Sequence, residues 1–268
     1  GQMPKAPVQA YLGRLDDPSR QKQFPLFFDF EHCQNLMIVG EGGSGKTTMV
    51  QSILYSLCKN YSSGEVQFYI LDYSSRMLKV FDVMPHCGAV LIEENEDSLN
   101  DFFTLLNGIV ARRKKLFSQW ETDSFEAAHA EHQLPLILVV IDGFAGLNAT
   151  KTGETHGYKL QKYIRDGVNY GIKYIITCSH LNEISVRIKQ ELGGRLCLHM
   201  REKFDYGEAL NCKVSYVPPD QPGRGLYKWE EAPLEFHAAM YCPNLEDAER
   251  NKHLKAELEG LREQSGEA

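Results

Sequence analysis

The amino-acid sequence predicts an α/β fold with a mostly parallel central sheet covered by helices on both faces. Three observations carry this. Short apolar runs of strand length recur along the chain, and most are separated by amphipathic helical stretches. Strands that alternate with helices pair in parallel through crossover connections. One run, Leu136–Ile141 (LILVVI), is apolar at every position, as expected of a strand buried on both faces.

In order, the first such strand is Asn35–Val39 (NLMIV), followed at once by glycines. Thr48–Cys58 reads as a helix because Met49, Val50, Ile53, Leu54 and Leu57 fall on one face. Val66–Leu71 (VQFYIL) and Ala89–Ile92 are the next strands. From Asn95 to Trp120 the apolar positions Leu99, Phe102, Phe103, Leu106, Ile109, Val110, Leu116 and Phe117 keep a helical period. Arg112–Lys115 on that helix reads as a solvated face. Leu136–Ile141 precedes a helix over about Tyr158–Tyr170, the strand Ile172–Cys178, a helix near Ile184–Leu192 and the strand Arg195–Met200. Beyond Val217 the chain turns Pro-rich (VPPDQPGRG), and Leu234–Tyr241 (LEFHAAMY) reads as a closing edge strand. Residues 245–268 are charged, with Leu254, Leu258 and Leu261 at helical spacing. They read as a solvated helical tail or linker behind a domain at 1–244, with a docking helix as the alternative.

The formal net charge of −7 gives no support to a surface built to neutralise nucleic-acid phosphates, so direct DNA contact is not expected. Seven cysteines lie at irregular spacing with no C-x-x-C pair, which points to reduced thiols rather than disulfides or metal ligands. No apolar run approaches the ~20 residues needed to cross a bilayer and no signal peptide opens the chain, so a soluble module without membrane contact is expected. The opening Gly1-Gln-Met-Pro4 reads as a cut into a longer polypeptide.

The strongest local signal is Gly40-Glu41-Gly42-Gly43-Ser44-Gly45-Lys46-Thr47, which fits G-x-x-x-x-G-K-[ST] between an apolar strand and an amphipathic helix. Glycines let successive backbone N–H groups approach phosphate oxygens with no Cβ in the way. The following helix contributes the positive end of its dipole, and Lys46 an ammonium for the β- and γ-phosphates. Thr47 is placed to give a hydroxyl to Mg²⁺, and Thr48 completes the candidate nucleotide-binding set. The class is then a P-loop nucleoside triphosphatase fold, and the ligands expected are ATP and Mg²⁺.

A carboxylate at the end of a neighbouring strand holds the Mg²⁺ hydration shell in such sites, and Asp142 closes the run LILVVI. It is the second metal candidate, acting through water. Hydrolytic members of the additional-strand class usually carry a glutamate next, to orient the attacking water. Here the residue is Gly143, followed by Phe144. Loss of a general base commonly costs about 10²–10⁴-fold, so binding survives while turnover is slow. Asp72 is a possible stand-in or a turn former before Tyr73-Ser-Ser75. Thr177, Ser179 and His180 are candidates for sensing the γ-phosphate or for turn chemistry, and Arg187, Arg195 and Arg201 for a charge delivered to a neighbour's nucleotide.

Taken together these pieces resemble the FtsK/SpoIIIE-type translocase ATPases and, within them, the EccC/EssC ATPases of type VII secretion systems. The match is to the second of their tandem ATPase domains. Tyr11-Leu-Gly-Arg-Leu-Asp-Asp-Pro-Ser-Arg20 resembles the opening of that domain, and Leu71-Asp-Tyr-Ser-Ser75 with Met84-Pro-His-Cys-Gly-Ala-Val90 its "LDF…LPHVGAV" stretch. Arg112-Arg113 with Leu116-Phe117 resembles the end of its long helix, and Val140-Ile-Asp-Gly-Phe144 its "VVDGW" segment. Gly194-Arg195-Leu196 and Val217-Pro218 through Pro222-Gly-Arg-Gly-Leu226 complete the series. Where the family often shows Thr-Ala-Thr-Arg, this chain has Thr177-Cys-Ser-His180. The resemblance implies a cytoplasmic module of a membrane-anchored motor, flanked by further ATPase domains of the same polypeptide, oligomeric when assembled, and exporting WXG-type substrates. It further implies tight ATP binding and a regulatory role. An active motor domain completed by neighbouring subunits is the alternative, and a DNA translocase the next.

Overall fold

Ten strands run through a single sheet: β1 (Gln9–Asp17), β2 (Lys22–Asp29), β3 (Leu36–Val39), β4 (Val66–Asp72), β5 (Cys87–Leu91), β6 (Leu136–Asp142), β7 (Ile172–Cys178), β8 (Gly194–Leu198), β9 (Arg224–Trp229) and β10 (Ala232–Ala238). Among the described residues eight α-helices accompany them: α1 (Lys46–Asn60), α2 (Glu96–Trp120), α3 (Phe125–His132), α4 (Phe144–Ala149), α5 (Lys151–Val168), α6 (Val186–Glu191), α7 (Lys203–Leu210) and α8 (Asp247–Ser265). The computed structural model describes residues 7–33, 35–93 and 96–266, so the Gly1-Gln-Met-Pro4 opening and Asn95 lie outside the described residues.

The strand order is β2-β1-β10-β9-β8-β3-β7-β6-β4-β5. The six strands from β8 to β5 pair in parallel. An antiparallel wing of β9, β10, β1 and β2 extends the β8 edge. β7 stands between β3, which feeds the glycine-rich loop, and β6, which ends in Asp142. That intervening strand is the mark of the additional-strand class, as the sequence predicts.

Strand pleating explains the two-sided core. Successive residues of a strand point to opposite faces. Leu36 and Ile38 therefore join one apolar cluster with Met49, Ile53 and Leu57 of α1. Met37 and Val39 join the other, with Leu99 and Phe103 of α2 and Leu160 and Ile164 of α5. Burial on both faces is why β6 and β7 carry no exposed position.

Four expectations are corrected. The segment at 234–241 is not an edge: β10 pairs with β9 on one side and with β1 on the other, through Leu15↔Phe236. Its second partner lies at the far end of the chain, beyond the reach of local pattern. Arg113 is not solvated with its neighbours; it is 4% exposed and donates to Tyr170 O at 2.6 Å and Pro135 O at 2.7 Å. Burial pulls its guanidinium down to about 10, so it stays charged at neutral pH. The helix expected over 158–170 begins at Lys151, capped by the Thr150 hydroxyl accepting from Gly153 N at 2.9 Å. Finally, the charged tail takes the docking alternative. Leu254 and Leu258 of α8 are fully buried against α1 and a 3-10 stretch, Met77–Val83.

Candidate nucleotide-binding site

The chain leaves β3 into residues 40–45, and α1 starts at Lys46. Gly45 caps the helix at φ 98, a left-handed conformation in which an L side chain is strained. The loop curls on itself, with Ser44 N donating to Glu41 O at 3.1 Å. Lys46 Nζ donates to Gly40 O at 2.6 Å and Glu41 O at 3.1 Å. Burial pulls its ammonium below the usual range, opposed by the charge of Asp142. The Ser44 hydroxyl is buried without a hydrogen-bond partner.

Asp142 ends β6 fully buried. Its Oδ2 accepts from Thr47 Oγ1 at 2.7 Å and its Oδ1 from Thr177 Oγ1 at 2.6 Å. Thr177 Oγ1 in turn accepts from Gly143 N at 2.8 Å. Burial pushes the Asp142 carboxyl above the usual carboxylate range, while the Thr177 and Thr47 hydroxyls oppose the shift. The two predicted metal residues, Thr47 and Asp142, thus meet directly. Among the described residues no group of three His, Cys, Asp or Glu could hold a metal ion. A hydroxyl beside one carboxylate instead suits Mg²⁺ held mainly by phosphate oxygens and water.

A cleft of about 800 Å³ opens above these groups. Gly42, Gly43, Gly45, Lys46, Thr47 and Thr48 line it. A Cβ at Gly42 or Gly43 would meet nothing within 4 Å, so the backbone is open to a ligand there. The other three loop residues do not line the cleft. Glu41 turns outward, pairing with Arg201 Nε at 3.3 Å. A short glycine-rich backbone cradle, a helix N-terminus, a lysine and a hydroxyl–carboxylate pair together fit a magnesium nucleoside triphosphate.

The remaining candidates separate. Asp72 is spent on the turn: Oδ1 accepts from Ser74 N and Ser75 N, each at 3.2 Å, and Oδ2 from Leu78 N at 3.0 Å. Thr177, wholly buried, positions Asp142 rather than facing the cleft. Ser179 lines the cleft, whereas His180 faces a neighbouring pocket. Arg195 donates to Leu192 O, Ala209 O and Lys189 O, which makes it a structural clamp. Arg187 and Arg201 are exposed. Sequence reasoning missed the cleft's far wall, where Met240, Pro243, Asp247 and Arg250 stand. No motif marks them; the leucine spacing of α8 was the one available signal.

The FtsK/SpoIIIE family matches residues 15–214. The ESX secretion system protein EccC of Geobacillus thermodenitrificans is 27% identical over 94% of this chain, and the ESX-4 secretion system protein EccC4 of Mycobacterium tuberculosis 28% over 82%. The chain spans 17% and 18% of those relatives' lengths. Among solved structures, EssC ATPases 2 and 3 from Geobacillus thermodenitrificans superpose with a TM-score of 0.84 at 25% identity, covering 98% of this chain and 52% of that one. Thermomonospora curvata EccC (ATPases 2 and 3), solved with a signal sequence peptide, shares the fold with a TM-score of 0.82 at 21% identity, covering 97% of this chain and 50% of that one.

Proposed function

As the chain belongs to the FtsK/SpoIIIE family, we propose that it is the ATP-binding domain of a type VII secretion motor. It holds Mg-ATP tightly with slow or no hydrolysis, and so regulates the tandem ATPase assembly of which it is one part. The observation that carries this reading is the pairing of an assembled phosphate site with Gly143 at the position after Asp142.

Residues of the chain divide the work. The N–H groups of the loop and the start of α1 bind phosphate oxygens. Lys46 exchanges its two carbonyl partners for the β- and γ-phosphates. Mg²⁺, when bound, neutralises charge on those phosphates. Thr177 holds the Asp142 carboxylate in place toward Thr47. Gly143 offers no carboxylate to orient water, so the cleft retains the triphosphate. Bound ATP then stabilises the fold by mass action and fixes the packing of this domain against its neighbours in the polypeptide.

A motor reading has one observation in its favour: Glu183 lines the cleft. Its two carboxylate oxygens already accept from Ser179 N at 3.2 Å and His180 N at 3.0 Å, which suits a turn cap better than a base. Partners under the proposal are adjacent ATPase domains, WXG-type substrates and further copies of the motor. The module works at the cytoplasmic face of the membrane. Among the described residues no helix is long and apolar enough to cross a membrane.

Equilibrium titration with Mg-ATP, Mg-GTP and Mg-ADP tests the reading. Saturable Mg-ATP binding that is lost in Lys46→Ala supports it. A protein that binds none of the three, or whose binding ignores Lys46, contradicts it.

A further inference from the structure

The helix that carries the phosphate loop is fastened along one side by the C-terminal segment. Thr48, Gln51, Ser52 and Tyr55 share one face of α1 by helical spacing. Each is hydrogen-bonded to that segment. Arg250 Nη1 donates to Thr48 Oγ1 at 3.4 Å and Gln51 Nε2 to Asn251 Oδ1 at 2.7 Å. Tyr241 N donates to Ser52 Oγ at 2.7 Å and Tyr55 OH to Glu257 Oε2 at 2.6 Å. Leu254 and Leu258 close the apolar side of the contact.

Arg250 connects this seam to the cleft. Lys46 and Arg250 are the two cations among the described residues that line it. The Arg250 side chain is 8% exposed and is held by Leu245 O at 2.6 Å, Cys242 O at 3.3 Å and Asp247 Oδ1 at 2.7 Å. Burying a guanidinium costs free energy unless something nearby repays it. The partner at Nη1, Asp247, is itself 72% exposed, so its charge is screened by water. The other contact at Nη1 is the long one to Thr48, the residue after the Lys46-Thr47 pair. In such loops the lysine serves the β- and γ-phosphates, which leaves the α-phosphate to the loop backbone and to any cation beside it.

From this seam we infer that Arg250 is a second phosphate-binding cation, acting at the α-phosphate end of the cleft. Docking of α8 is therefore linked to nucleotide occupancy. The inference rests on the proposed ATP reading and adds its regulation. A phosphate oxygen beside Thr48 replaces the long Thr48 contact with a charge-assisted bond. Because coupling is reciprocal, ATP tightens α8 and a docked α8 tightens ATP. Whatever adjoins α8 thus feels whether the cleft is filled.

The test uses the whole chain, with calorimetric titration of Mg-ATP and Mg-ADP and hydrogen exchange of the α8 amides. Arg250→Ala is expected to weaken both nucleotides by the same factor, roughly 10–100-fold, because both carry the α-phosphate. Lys46→Ala is expected to penalise ATP more than ADP. Mg-ATP is expected to slow α8 exchange in the wild type. Asn251→Ala, which lies outside the cleft, is expected to weaken ATP by a few-fold through undocking alone. Unchanged affinity in Arg250→Ala, or α8 exchange indifferent to Mg-ATP, overturns the inference while leaving the ATP reading intact. If Arg250→Ala does not fold, the wild-type exchange result decides alone. ATP binding that survives Lys46→Ala unchanged fails the parent reading instead.

Discussion

Installing a glutamate directly after Asp142, by Gly143→Glu, is expected to damage this protein rather than activate it. Gly143 sits at φ 86 and ψ 68, where it caps α4. A side chain in the left-handed region costs about 1–2 kcal/mol. A Cβ there would also come within 3.0 Å of Tyr73 O and 3.1 Å of Ser74 Cβ. Both atoms belong to the turn that Asp72 holds with three backbone N–H bonds, so the turn yields only at further cost. A loss of about 2 kcal/mol translates to ~4–8 °C in melting temperature for a chain of this size. The Cβ is directed at that turn, so the new carboxylate has no fixed place from which to hold a water. Differential scanning fluorimetry with and without Mg-ATP, beside a phosphate-release assay, reads both effects. Gly143→Ala separates backbone strain from charge and is expected to show most of the thermal loss. A Gly143→Glu protein that melts like the wild type and turns over ATP rapidly would refute the argument.

Asp142→Asn is expected to abolish the Mg²⁺-dependent part of ATP affinity. It should also raise the ligand-free melting temperature at neutral pH. The sign follows from the raised carboxyl: the folded state holds a proton more readily than the unfolded one, so stability from this group is present below 3.8 and lost as pH rises through the higher folded value. The advantage of the asparagine variant therefore shrinks toward pH 3.8; an advantage that grows on acidification contradicts the assignment. Thr177→Val leaves Gly143 N without a partner and frees one Asp142 oxygen, a loss of about 1–3 kcal/mol in a urea melt. Leu254→Ala is expected to cost about 2–5 kcal/mol because the side chain is fully buried; a cost near zero would mean that α8 does not dock.

Much of the parallel core was legible because its signals are local. The strand at 172–178 and the apolar run ending in Asp142 are buried on both faces, and such strands show as unbroken hydrophobic runs. The glycine-rich loop is legible for a chemical reason, since few residue types permit its backbone. The antiparallel wing was not legible. β1 carries a register shift between Tyr11 and Gly13 that breaks the two-residue alternation, and its pairing with β10 spans almost the whole chain. Arg113 hid within a basic run because its partners are two carbonyls of distant loops, and carbonyls leave no mark on composition. Arg250 hid for the same reason in a charged tail, although Leu254 and Leu258 already signalled a helix with one apolar stripe.

The most direct test of the central claim is to incubate the purified chain with radiolabelled ATP and Mg²⁺ and follow retained nucleotide and released phosphate in one sample. The structure predicts close to one ATP retained per chain, dependent on Lys46, with little phosphate over hours. Sustained phosphate release would contradict it, showing that a carboxylate other than one at position 143 positions the water and that this domain is a motor.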